Sequence, residues 1–61
     1  MKRPVRLHRI GNAWVLDYLD RKKYGRYLYA QFYCRDHSLE FVIAWCKKQR
    51  DIELKEVSAD L

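Results

Sequence analysis

The residues with chemical reach in this 61-residue chain are Cys34 and His37 in "CRDH", Cys46 beyond them, and His8 and Asp17 nearer the amino terminus. Cys34-x-x-His37 has the spacing of half a zinc site, with Cys46 and His8 as the remaining candidate ligands. A structural zinc site is built from four ligands, usually in close pairs, and only one pair is present. Both cysteines also fall where the patterns below turn them toward a core, and there a free thiol acts as a small hydrophobe. Two reduced cysteines and no metal site are therefore expected. His8 and Asp17 offer a proton-transfer pair, but no Gly-rich phosphate loop, HExxH or nucleophile elbow accompanies them. A chain this short has little room for a pocket with supporting shells, so no catalytic residue, no enzyme activity and no cofactor are expected.

The stronger signal is one of contact. "RYLYAQFYC", Arg26–Cys34, alternates with period two, as a half-buried strand does. Leu28, Ala30, Phe32 and Cys34 make one side; Tyr27, Tyr29, Gln31 and Tyr33 make the other. High β-propensity alone would explain such tyrosines. They also supply large, rigid contact area with a hydroxyl, which suits recognition. The preceding turn, "DRKKYGR", gathers Arg21, Lys22, Lys23 and Arg26, and its Gly25 can supply a left-handed residue. Basic groups position phosphates while aromatic and polar side chains touch bases or sugars.

The hydrophobic pattern supplies the elements that hold these residues. "VRLHRI" and "AWVLDYL" flank Gly11-Asn12, a two-residue hairpin signal. That turn pairs Arg6 with Asp17, Leu7 with Leu16 and His8 with Val15. One face then holds Val5, Leu7, Trp14, Leu16 and Tyr18, with Arg9 near its end, and is the core. The other holds Arg6, His8, Ile10, Ala13, Val15 and Asp17, with Arg6–Asp17 as an outside ion pair worth little in stability. A third strand, from about Tyr27 to Cys34, adds Leu28, Ala30, Phe32 and Cys34 to the core and the tyrosine row to the outer face. The period then becomes helical. "RDHSLEFVIAWCKKQRD" predicts a helix between about residues 37 and 49, with Asp36 and Ser38 as N-cap candidates and Glu40 in the first turn. Leu39, Val42, Trp45 and Cys46, with Phe41 alongside, form its apolar stripe.

"IELKEV", Ile52–Val57, reads as a short last strand, parallel to the third by the right-handed crossover rule, with a place beside the first open to it. The fold class is α+β in the order β-β-β-α-β: an antiparallel three-stranded sheet, one helix packed on one face, and a short C-terminal strand. Residues 1–61 form a single domain, with a core over about 4–57 and a frayed tail at 58–61. Lys and Arg number 13 against 8 acidic residues, a net charge of +5, which suits nucleic acid or an acidic protein surface. An apolar fraction of 49% argues against disorder. No apolar run approaches the roughly eighteen residues needed to span a membrane. The basic start "MKRPVRLHRIGN" lacks an apolar signal-peptide region, so a cytoplasmic location is expected.

The turn before an aromatic strand ("GNAWVLDY"), the basic Gly-containing turn ("DRKKYGRY"), a third strand and a capped helix resemble the amino-terminal arm-site DNA-binding domain of phage and transposon integrases. The resemblance covers about residues 7 to 49. It implies a three-stranded sheet that enters the DNA major groove with the helix behind it, and contacts through Arg6, His8, Arg26, Tyr27, Tyr29 and Gln31. The expected function is a small phage or mobile-element accessory protein that binds DNA through the tyrosine and arginine face of its sheet. The alternative is a regulator or inhibitor that docks on another protein, or on a second copy of itself, through the same aromatic face. The expected binding residues are Arg6, His8, Arg21, Lys22, Lys23, Arg26, Tyr27, Tyr29, Gln31 and Tyr33.

Overall fold

Gly11 and Asn12 close the first hairpin, with Gly11 alone of the two at a positive φ (+61°), the φ pattern of a type II′ turn. The computed structural model describes residues 2–20 and 22–58. Its elements are β1 (Arg3–Ile10), β2 (Ala13–Asp20), β3 (Gly25–Tyr33), α1 (Leu39–Lys48) and β4 (Ile52–Ser58). The β1–β2 register is the one the turn dictates, with Arg6 opposite Asp17, Leu7 opposite Leu16 and His8 opposite Val15.

The sheet is larger than three antiparallel strands. β4 lies beside β1 and parallel to it, giving a four-stranded mixed sheet in the order β3-β2-β1-β4. Since β1 and β3 each run antiparallel to β2, β4 is also parallel to β3, and α1 is the crossover between them. The edge of β1 is open to β4 because the helix ends just before it. The Arg3 N–H donates to the Asp51 carbonyl at 2.9 Å, Ile52 stands opposite Arg3, and Leu54 opposite Val5. β4 includes Ser58, and the tail at residues 59–61 lies outside the described residues.

One face of this sheet carries the core. Val5, Leu7, Trp14, Leu16 and Ile52 pack against Val42 and Cys46 of α1. Ser38 is the N-cap, its Oγ accepting the Phe41 N–H at 3.1 Å, while Glu40 and Lys47–Lys48 sit at the ends the helix dipole favours. The Trp14 indole N–H donates to the His37 carbonyl at 3.0 Å and ties the hairpin to the loop before the helix. Burial pushes the Cys46 thiol pKa up, as fits a core hydrophobe, and Cys34 is a half-buried free thiol. Phe32 and Trp45 were expected to be buried but are half-buried, packed edge to face at 5.0 Å. A single ten-residue helix cannot cover four strands, so the aromatic residues over β3 keep one side in water.

The third strand departs from simple alternation. The β2–β3 register runs Trp14 to Phe32, Val15 to Gln31 and Leu16 to Ala30, then jumps to Asp17 with Leu28 and Tyr18 with Tyr27. Tyr29 is the extra residue of a β-bulge, and every side chain before it changes face. Leu28, expected in the core, is turned out and 58% exposed. Tyr29 and Tyr27, expected on the outer face, join the helix face. Tyr29 packs on Trp45 at 6.2 Å, and its hydroxyl donates to Asp51 at 2.8 Å; Tyr27 lies 6.0 Å from Tyr18. The Tyr29 hydroxyl pKa is raised by burial, and by Asp51 holding its proton. The left-handed residue of the second turn is Tyr24 (φ +53°), not Gly25, which sits inside β3.

The bulge makes opposite demands at two adjacent residues. Tyr29→Ala is expected to cost about 2 kcal/mol, because it removes a ring packed on Trp45 and the Asp51 hydrogen bond. Leu28→Ser should stay within about 0.5 kcal/mol of the parent. Urea melts of the two variants check this, and the reverse order of costs would contradict the bulge.

Candidate functional site

The face of the sheet that α1 leaves open is organised by one carboxylate. Asp17, in the second strand, is only 8% exposed although no other layer covers it. Its neighbours do the covering. From β1, Arg6 donates Nε–H to Oδ1 at 2.9 Å, and His8 Nε2 lies 2.7 Å from Oδ2. From β3, Arg26 donates through Nη2 at 2.8 Å and Nε at 3.3 Å to the same Oδ1. Arg26 reaches this face because of the bulge, since unbroken alternation from Leu16–Ala30 would send it to the helix side. The Arg6–Asp17 pair, expected as an outside ion pair worth little in stability, is thus part of a four-residue cluster drawn from three neighbouring strands.

Two effects compete at the carboxyl. Burial raises its pKa; hydrogen bonds from Arg26, Arg6 and His8, with the Arg26 charge, lower it more, and the result is about 2 against an ordinary 3.8. The arginines need it as much as it needs them. Without Asp17 the two guanidiniums would repel across the sheet.

Of the expected binding residues, the structure brings Arg6, His8, Arg26, Gln31 and Tyr33 together on this open face. Gln31 stands opposite Val15, and Tyr33 opposite Ala13. Tyr27 and Tyr29 belong to the other side. Lys22 and Lys23 sit at the β2–β3 tip, where the Asp20 carboxylate accepts both backbone N–H groups at 2.9 and 3.3 Å in an Asx turn. Arg21 lies outside the described residues.

Four apolar residues that the pattern did not mark as binding residues complete the surface. Ile10, Leu19 and Leu28 are well exposed on this face, and Ala13 and Val15 floor it between them. Tyr33 is the aromatic member at one end, and Leu19 and Arg26 pair at the other. Tyr24 is the fourth missed residue. It is 91% exposed at the tip in a conformation that normally selects glycine. Its signal in the sequence was the "KKYG" order, which leaves a tyrosine where a turn wants glycine.

The chemistry available here is that of contact. His8 and Asp17 form a hydrogen-bonded pair, but Ser58, beside His8 in the register, makes no hydrogen bond to it. The cleft among Arg6, Leu19, Arg26 and Lys55 is shallow, about 220 Å³. Among the described residues no group of three His, Cys, Asp or Glu side chains is placed to hold a metal ion, and no helix is long and apolar enough to cross a membrane. No family model, curated protein or solved structure matches the chain. The resemblance to integrase arm-site domains therefore rests on the sequence features that carry it.

Removing the organising charge should be costly at neutral pH and harmless in acid. Asp17→Asn is expected to lose about 2–3 kcal/mol at pH 7, since it leaves Arg6 and Arg26 without a counter-charge. Because the folded carboxyl titrates at about 2 and the unfolded one near 3.8, its stabilisation is full above the unfolded value and is lost as the pH falls through the folded one. Melts of parent and variant should therefore converge as the pH drops from about 5 to about 2. A constant difference across that range would contradict the assignment.

Proposed function

We propose that this protein is a binding module that docks on another protein through the open face of its sheet. One observation carries the reading: Ile10, Leu19, Leu28 and Tyr33 stand exposed around a cluster whose Asp17 carboxylate is already held by Arg6, His8 and Arg26 of the same chain. Apolar contact area around a hydrogen-bonded polar centre with a buried carboxylate is the composition of a protein interface. A monomer has little other reason to keep such a surface.

Nucleic acid is the second reading, and a different place supports it. The guanidiniums of Arg6 and Arg26 are engaged by Asp17, which weakens them as phosphate ligands. The net charge of +5 and the tip with Lys22, Lys23 and the solvent-facing Tyr24 favour DNA contact at the hairpin end instead.

A single variant separates the two. Leu28→Lys adds a positive charge to the open face without touching the core. Immobilised parent protein is expected to retain a protein partner, from cell extract or as added free copies of the same chain, that Leu28→Lys fails to retain, while mixed duplex DNA binds both weakly and less well at higher salt. Tight duplex binding that Lys22→Ala/Lys23→Ala abolishes, with no protein difference between parent and Leu28→Lys, would replace the first reading with the second.

A further inference from the structure

The open face has a definite charge count. Pairing places Glu56 with Arg6 and Glu53 with Pro4, and Lys55 lines the cleft with Arg6 and Arg26. Among the described residues its carboxylates and basic side chains are then Arg6, Arg26 and Lys55 against Asp17, Glu53 and Glu56, three of each sign, with the His8 ring beside Asp17. The chain as a whole carries +5. Of the other described cations, Lys22 and Lys23 lie at the tip, Lys47 and Lys48 in the last turn of the helix, and Arg3 and Arg9 over Tyr18 and Trp14 on the helix side, all off this face. For nucleic acid this is the wrong side of the molecule. For a second copy of the same cationic chain it is the side where self-repulsion is least.

The two ends of the face also differ in a way that matches when one copy is turned over. At one end are Ile10, Ala13 and Tyr33, joined by register. At the other are Leu19, Pro4 and Arg26. A two-fold axis lying in the face and crossing the strands exchanges the ends. Ile10 of one copy then meets Pro4 of the other, Ala13 meets Leu19, and the Tyr33 ring meets the Arg26 guanidinium, a favourable cation–π partner. Leu28 falls near the axis, where it approaches its own symmetry mate. Each contact occurs twice, as an isologous interface requires.

The area is adequate. The chain measures 34 × 23 × 15 Å, and its broad side offers on the order of 800 Å², what each partner contributes to a standard interface. Its thinness has the same origin: one sheet with a single helix is half of a layered fold, and a second sheet packed about 10 Å away completes a four-layer helix–sheet–sheet–helix assembly.

We propose that the open sheet face is the interface of a symmetric homodimer, with Leu28 at its two-fold axis. This rests on the reading of that face as a protein-docking surface and names the partner as a second copy of this chain. Within such an interface each Asp17 carboxylate is already hydrogen-bonded by Arg6, His8 and Arg26 of its own chain, so covering it leaves no unpaired anion at the centre.

Sedimentation equilibrium of the full chain over a range from low micromolar to near-millimolar is the test. The expected result is a dimer that dissociates on dilution. Leu28→Lys, which sets two ammonium groups against each other across the axis, should be monomeric and keep the parent's far-ultraviolet dichroism. Val57→Lys, a change at another exposed residue, on the helix side opposite Leu7, should leave the dimer intact. In a half-labelled mixture, cross-copy nuclear Overhauser contacts should link the Ala13 methyl to Leu19 and the Ile10 methyls to Pro4. A parent that is monomeric at every concentration overturns the dimer, as does a dimer that survives Leu28→Lys. If that monomer still binds a different protein that Leu28→Lys releases, the docking reading stands and only the choice of partner has failed. If it binds duplex DNA and no protein, both have failed.

Discussion

The carboxylate of Asp17 is the constraint on which the open side of this molecule depends. It sits in an inner strand of a sheet whose outer surface has no covering layer, yet it is buried, because Arg6, His8 and Arg26 close over it. A charge in such a place is tolerable only with its hydrogen-bonding capacity filled, and here both oxygens are engaged. The same arrangement fixes the guanidiniums in place. Two arginines on either side of one acidic strand would otherwise swing into solvent, and the Leu28 and Val15 side chains beside them would lose their frame.

The cluster and the β-bulge are linked. Skipping Tyr29 in the β2–β3 register turns Arg26 toward Asp17 and, in the same step, sends Leu28 outward and brings Tyr27 and Tyr29 to the helix side. An unbulged strand would bury Leu28 but place a guanidinium against the helix face and leave Asp17 with β1 partners alone. The exchange gives Tyr29 the Trp45 ring and the Asp51 carboxylate as partners, and leaves an exposed leucine as its visible cost. Exposed Ile10, Leu19, Leu28 and Tyr33 consequently share one face. That concentration, more than the amount of apolar surface, gives the face a claim to be an interface.

Much of this fold was legible in the sequence. Gly11-Asn12 set a two-residue turn, and the turn fixed which side of β1 and β2 is core. The Ser38 cap and the Val42/Cys46 spacing placed the helix. Arg6, His8, Gln31 and Tyr33 were assigned to the outer face, and they are there. The tyrosine row misled because a period-two reading assumes an unbroken ladder, and a bulge has no strong local signature when the extra residue is itself a good strand former. Tyr29 fits either side; only Trp45 and Asp51, far along the chain, decide for the inner one. Asp17 was read as half of an exposed ion pair because sequence shows a pair across one hairpin and not the third strand that encloses it. The fourth strand's place beside β1 was likewise a long-range matter, settled by which edge the crossover could reach.

A carboxyl-detected carbon-13 pH titration of the intact protein tests the central claim, that Asp17 is held charged and enclosed by partners from β1 and β3. The account requires the Asp17 carboxyl to titrate at about 2, and the Arg6 and Arg26 Nε–H signals to respond in the same step. A midpoint at the ordinary 3.8, with no response from the two arginine Nε–H signals, would mean that the cluster does not close over the carboxylate, and the open face would lose the centre around which it is built.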